Sequence, residues 1–325
     1  MEKVLYLAEK DILKAVSVQE LLDAVEASMR LYETGEFHMP QRLHVDHGGN
    51  TLLLMPCFTA DCFGTKLVTL FPRNPELSVP VLNGVMVLND ARTGVPVALL
   101  NGPVLTALRT AAVSAVSIRH LAPEGARSLG IIGAGVQAFY QVQAACAARK
   151  FTHVFVFDLV SEETSSLIDK LPQELPHVKF HGAKSVEGLL KESAVIITAT
   201  TSPDPVLPDK EELLEGRHFA GIGSYKPNMR EFPKALFGLL DAVYVDTDHA
   251  LEESGDLIVP LQNGWITKDQ VVTFGRFLLG DRPKEKLRRQ TTLFKSVGMA
   301  LFDVCASKLI YDNALEKGLG QEIAL

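Results

Sequence analysis

The sequence predicts an α/β protein with two parts: a doubly wound parallel-sheet domain, and an α+β domain formed by both chain ends. Three observations predict it. Apolar strand-like runs alternate with helical stretches from about residue 128 to 246. A glycine turn, Gly133-Ala134-Gly135, stands where the first of those strands meets its helix. Residues 41–100 have another texture, with short alternating runs broken by turn residues. A chain of 325 residues also exceeds the size at which one hydrophobic core stops growing. The expected division is 1–120 with 296–325 for the α+β domain, and 121–295 for the parallel-sheet domain.

Val4–Leu7 reads as a strand. Val18, Leu21, Leu22, Val25, Met29 and Tyr32 fall at helical spacing. Leu43–Val45, Thr51–Pro56, Thr65–Phe71, Val81–Asn89 and Val95–Leu100 then read as strands of a mostly antiparallel sheet. Gly48-Gly49-Asn50 and Asn89 to Gly94 mark turns. Residues 103–120 form a helix rich in Ala and Ser, whose small side chains allow another backbone to approach. The parallel-sheet strands are Ser128–Ile132, His153–Asp158, Val178–His181, Ala194–Thr200, His218–Gly223 and Ala242–Asp246. Alternation of strand and helix at this rhythm is the signature of βαβ units. Ser296–Lys317 reads as an amphipathic helix with Met299, Phe302, Ala306, Leu309, Ile310 and Leu315 on one side.

Composition excludes several classes. The apolar fraction is 47%, the charged fraction 22% and the net charge −7, which suits a folded globular chain without a nucleic-acid footprint. The basic cluster Lys284, Lys286, Arg288 and Arg289 is interleaved with Glu285 and reads as a solvated turn. Cys57, Cys62, Cys146 and Cys305 are too few for a disulfide scaffold, and their spacing gives no metal motif. His44 and His47 have no second ligand pair. Met1–Val16 carries charges throughout, unlike a signal peptide, and no apolar run reaches membrane-spanning length. The expected address is the cytoplasm, with no membrane partner.

The glycine turn carries chemistry. Gly133 permits the tight turn, Gly135 lets backbone approach a pyrophosphate, and Ala138 keeps helix and strand close. Val136 and Gln137 open the helix whose free N–H groups face the phosphates. Asp158 ends the second strand roughly 20 residues on, where an acid bonds the adenosine ribose hydroxyls. No Arg follows it in Leu159-Val160-Ser161-Glu162, which favours NAD over NADP. Thr198–Ser202 reads either as the nicotinamide side of the crevice or as plain turn chemistry.

Three basic residues sit among apolar or small neighbours: Arg42, Lys66 and Arg109. A buried Arg clamps a carboxylate through two bonds. A buried Lys loses basicity and serves as acid or base. The alternative for each is a surface charge or a structural ion pair.

The blocks Gly64-Thr65-Lys66-Leu67-Val68, Leu105 to Ala115, Gly133 to Ala138, Glu253-Ser254-Gly255-Asp256, Phe294 to Ala300 and Lys308 to Asp312 occur in order. With them the chain resembles the ornithine cyclodeaminase/mu-crystallin family over nearly its whole length. That family includes archaeal-type alanine dehydrogenases and ketimine reductases. The resemblance implies a substrate and dimerisation domain completed by the C-terminal helix, with a Rossmann domain inserted. It implies that Arg42 and Arg109 hold a substrate carboxylate and that Lys66 acts at the reacting carbon and nitrogen, with Val297 near the substrate. Asp158, Thr201, Ile222 and Ser296 would line the cofactor site, together with Gly133, Gly135, Val136, Gln137 and Arg109.

One departure bears on the reaction. Cyclodeaminases of the family place an Asp after the fifth Rossmann strand, and this chain has Tyr225 there. Tyr, with a reference pKa of about 10, is a poor base near neutrality and offers no charge to a second ammonium. The resemblance therefore implies an NAD(H)-dependent dehydrogenase or imine reductase acting on a small amino or cyclic imino acid as a homodimer. The ending Pro227 to Glu231 is closer to the reductase side, which often uses NADPH, so cofactor choice stays open between that side and Asp158. A lyase with tightly held NAD and a non-enzymatic small-ligand binder remain as alternatives.

Overall fold

The computed structural model describes residues 3–280 and 290–324. The basic cluster at 284–289 lies outside the described residues. The chain forms two compact units, Met1–Arg109 with Met299–Leu325, and Thr110–Gly298. The division falls inside a helix, Gly102–Leu121, ahead of the 120/121 boundary read from the sequence. At its other end it lies at 298/299, just beyond 295/296.

The first unit begins with β1 (Lys3–Leu7), α1 (Glu9–Ala15) and α2 (Val18–Thr34). A capping box starts α2: Glu20 N–H donates to Ser17 Oγ at 3.3 Å, and Ser17 N–H donates to the Glu20 carboxylate at 2.8 Å. Five strands follow: β2 (Leu43–His47), β3 (Asn50–Phe58), β4 (Cys62–Leu70), β5 (Leu82–Asp90) and β6 (Pro96–Asn101). Gly48 and Gly49, at φ 58° and 80°, make the two-residue turn between β2 and β3. Both positions of such a hairpin turn need positive φ.

The helix Gly102–Leu121 is α3. The unit closes with a helix and a strand from the far end of the sequence, Ala300–Glu316 and β15 (Gln321–Ala324). Its sheet has seven strands in the order β15-β1-β6-β5-β4-β3-β2, antiparallel except where β1 meets β6. Buried and less buried residues alternate along β3 and β4, so one face is core. The Ala300–Glu316 helix packs on that face against β3, β4 and β5, and beside α1 and α2. It is not the one-sided amphipathic helix the sequence predicts. Leu301, Phe302, Val304 and Ile310 are all buried, whereas Leu315 is exposed. A helix set between a sheet and other helices is covered all round.

The second unit contains β7 (Ser128–Ile132), α4 (Val136–Ala148), β8 (His153–Phe157), α5 (Ser161–Glu174), β9 (Lys179–Gly182), α6 (Val186–Glu192), β10 (Val195–Thr198), β11 (His218–Gly221), α7 (Lys234–Gly238) and β12 (Val243–Val245). Then come α8 (Ala250–Glu253), α9 (Gly255–Gln262), β13 (Val271–Thr273), α10 (Phe274–Leu279) and β14 (Thr292–Lys295). The helix Ala300–Glu316 is therefore α11.

All eight strands are parallel, in the order β13-β12-β14-β11-β10-β7-β8-β9. β13, β14 and β15 are additions to the strands read from the sequence. The order turns back at β7 and β10, which makes their carboxyl ends the switch point where doubly wound sheets bind ligands. Apolar clusters line both faces. Leu129, Ile131, Val154, Val156 and Ile197 lie in one, and Ile132, Ile196, Phe219 and Leu293 in the other.

Among the described residues no helix is long and apolar enough to cross a membrane, and no group of His, Cys, Asp or Glu could hold a metal ion. Cys57 and Cys62 are buried free thiols.

Candidate active site

In the first unit the alternation of β4 turns Lys66 onto the core face, in line with Cys62, Gly64 and Val68. The ammonium is almost completely buried, at 1% exposure. Its Nζ donates to Asp303 Oδ1 at 2.8 Å, and Arg109 Nε, from α3, donates to the same oxygen at 2.9 Å. Arg42, half-buried just ahead of β2, adds a third positive charge that acts on Lys66.

Burial pushes the Lys66 ammonium down to about 7, Arg109 and then Arg42 add to the fall, and Asp303 opposes it. The arrangement can hold an anion and exchange a proton near neutrality. Asp303 was missed by sequence reasoning. It sits between Met299 and Ala306 on what looks like a purely apolar helix face, and that anomaly was the available signal.

In the second unit, Gly133 follows β7 with φ +94°, and a Cβ there would stand 2.7 Å from Ala199 O. Both facts restrict the position to glycine. Gly135 caps α4, and a Cβ on it would meet no heavy atom within 4 Å. The space beside the opening N–H groups of α4 is thus free. Asp158 follows β8, and its carboxylate accepts from Ala134 N at 2.7 Å and Val160 N at 2.9 Å, which ties the acid to the glycine turn. Beside it, Leu159 is 94% and Val136 79% exposed. Two apolar side chains left open around a ribose-type acid and a glycine cradle fit the adenosine half of a dinucleotide. Gln137 Oε1 is buried there without a hydrogen-bond partner among the described residues.

The remaining predicted residues lie at neighbouring strand ends. Ile222 is nearly buried after β11, and Thr201 is exposed after β10. Ser296 Oγ donates to Asp246 at 2.6 Å, and the same carboxylate accepts from Val297 N at 3.2 Å and Gly298 N at 2.7 Å. Asp246, at the end of β12, therefore shapes the turn carrying Ser296 and Val297. Val297 belongs to this unit, unlike the other residues predicted for the substrate.

A second acid organises β10 and β11. Glu231 is fully buried and accepts from Thr200 N, Thr200 Oγ1, Gly223 N and Ser224 N at 2.8–3.2 Å. Asp256 accepts in turn from Glu231 N at 2.7 Å and lies 3.5 Å from Lys295 Nζ. Burial pushes both carboxyls up, with Lys295 opposing. Tyr225 directly follows this clamp and is half-buried.

A parallel sheet with a glycine cradle and a ribose-type acid, joined in one chain to a buried cationic cluster, defines a dinucleotide-binding protein of the Rossmann class. The chain belongs to the ornithine cyclodeaminase/mu-crystallin family, whose sequence profile matches residues 2–318. It is 31% identical over 316 residues to the Delta(1)-pyrroline-2-carboxylate reductase of Bacillus cereus (strain ZK / E33L), covering 95% of this chain and 96% of that protein. The Thermococcus litoralis Delta(1)-pyrroline-2-carboxylate reductase, solved in complex with NADH and L-proline, superposes with a TM-score of 0.92 at 30% identity, covering 98% of this chain and 100% of that one. An archaeal alanine dehydrogenase dimer with bound NAD gives 0.88 at 26% identity, covering 100% of both chains.

Proposed function

We propose that this chain is an NAD(H)-dependent oxidoreductase of a small amino or cyclic imino acid. A cyclic ketimine of the pyrroline-2-carboxylate type is the first candidate substrate, and pyruvate with ammonia the second. The observation that carries the reading is the buried cluster of the first unit. Lys66 Nζ and Arg109 Nε set two positive charges on one carboxylate oxygen of Asp303, and Arg42 acts on Lys66 from ahead of β2. A buried set with excess positive charge is suited to take up an anion.

In this reading Arg42 and Arg109 hold the substrate carboxylate, and Lys66 serves its nitrogen. Gly133, Gly135 and Asp158 hold the dinucleotide, with Val136, Gln137, Thr201, Ile222 and Ser296 around it. The dinucleotide supplies a hydride equivalent to the carbon of the C=N bond. Lys66 gives a proton to the nitrogen as that bond becomes single, so an N–H bond breaks at Lys66 and forms on the substrate. In the oxidising direction the neutral amine takes the proton back. The ammonium near pH 7 suits both roles, because a catalytic group works best when its pKa lies near the working pH.

The relatives solved with NADH and NAD support the cofactor, and Asp158 without a following Arg supports NAD over NADP. The working form in this reading is a homodimer. Leu43, Leu54, Leu67 and Val85 lie opposite one another across β2, β3, β4 and β5 on the sheet face away from α11. Leu43 is 54% and Leu67 38% exposed. An apolar row of this kind on a sheet face supports burial against a second copy.

The test follows 340 nm absorbance with NADH or NADPH and a panel of cyclic ketimines and 2-oxo acids with ammonia. NADH consumption that depends on a carboxylate-bearing imine is the expected result. No consumption with any member, alongside ammonia release from ornithine or lysine, would overturn the reading.

A further inference from the structure

Asp303 is the acid that the Lys66 chemistry does not yet use. It is fully buried on α11, and its Oδ1 serves two cations at once, Lys66 and Arg109. Its Oδ2 is also buried and has no hydrogen-bond partner among the described residues. A buried charge is tolerated only when paired, and Asp303 meets two cationic side chains at one oxygen. The charged groups acting on Lys66 come from three places: Arg109 on α3, Arg42 ahead of β2, and Asp303 on α11. Both arginines disfavour the ammonium, and Asp303 is the one anion of the set.

We propose that Asp303 is a positioning residue for the reaction, holding the Lys66 ammonium in place and setting the pH at which it releases its proton. This rests on the reading of Lys66 as the proton donor. When Lys66 gives up its proton, the neutral amine keeps a hydrogen bond to Oδ1. The Arg109 Nε–H stays on the same oxygen, so the carboxylate keeps a cation beside it while Lys66 is neutral. One acid thereby couples the proton donor to a side chain proposed to clamp the substrate carboxylate.

The test is the pH profile of Asp303→Asn in the intact protein, with the falling limb of NADH-dependent imine reduction as readout. Removing a negative charge in direct contact should move that limb at least about one pH unit towards acid. NADH affinity, read from its fluorescence, should stay within about twofold, since Gly133, Gly135 and Asp158, which hold the dinucleotide in this reading, are untouched. Asp303→Glu, which keeps the charge, should bring the limb back towards the parent value. Should the Asn variant not fold, Asp303→Ser removes the same charge and leaves room for a water. An unmoved limb in the folded uncharged variant overturns the proposal, even if turnover falls. Lys66→Ala separates the two levels. If it keeps full turnover, the assignment of Lys66 itself fails. If it is inactive while the Asp303→Asn limb stays put, only the role of Asp303 fails.

Discussion

Lys66 shows how a single side chain acquires a working pH. Its ordinary value is 10.5, and burial with two nearby arginines brings it to about 7. The folded chain therefore releases this proton at about pH 7, whereas the unfolded chain keeps it until about 10.5. Between those values the unfolded state binds more protons, so the Lys66 contribution to stability rises with pH across that window. The same shift predicts opposite limbs for the two reaction directions. With Lys66 as the proposed proton donor, imine reduction needs the ammonium and should fall as pH rises through about 7. Amino-acid oxidation needs the neutral amine and should rise through the same region. Initial rates from pH 5.5 to 9.5 in both directions check this, and limbs of the same sign would contradict it. The basic residues were legible in the sequence because charges among small or apolar neighbours stand out. Their shared partner was not, since Asp303 lies 237 residues from Lys66 along the chain and an acid on a helix ordinarily faces water.

Among the elements, the longest and most regular were the most legible. The alternation of β3 and β4, the helical spacing of apolar residues in α2 and the strand–glycine–helix sequence at β7 are local patterns, and each element formed close to where its pattern lies. β13 and β14 were not legible, being three and four residues long. β14 is buried throughout and so has no alternation to read. Its place between β11 and β12 is a matter of long-range pairing.

The same blindness hid the Glu231 clamp, whose donors sit on the segments following β10 and β11. Glu231→Gln should loosen both. The amide has only one acceptor oxygen, and its NH₂ would face backbone N–H groups that need an acceptor, at a cost of about 1–3 kcal/mol per group left unpaired. The expected outcome is faster amide exchange at Thr200 and at Gly223–Ser224, with NADH affinity reduced roughly tenfold. Unchanged exchange at those amides would show that the clamp is not what orders them.

For the whole molecule, the apolar row Leu43–Leu54–Leu67–Val85 carries the expectation of a dimer. Stable interfaces bury roughly 1,200–2,000 Å² in total, and a charge at the centre of such a face is expensive to desolvate. Leu67→Lys should therefore convert a dimer to monomers on light scattering. Because Leu67 and Lys66 point to opposite faces of β4, Lys66 keeps its own surroundings in the variant. A dimer unaffected by Leu67→Lys would place the interface elsewhere.

The discontinuous first unit has a further consequence for how the chain comes into being. The second unit is one uninterrupted stretch, Thr110–Gly298, whereas the first needs Met299–Leu325 to join residues made long before. Domains tend to fold as units during synthesis, at about 5–20 residues per second. The nucleotide-binding half can thus close while α11 is still inside the ribosome, and Lys66 has no Asp303 until α11 emerges. Until α11 emerges, the growing protein has one unit that can close by itself and another still open, with Lys66 lacking the carboxylate its Nζ meets in the folded chain.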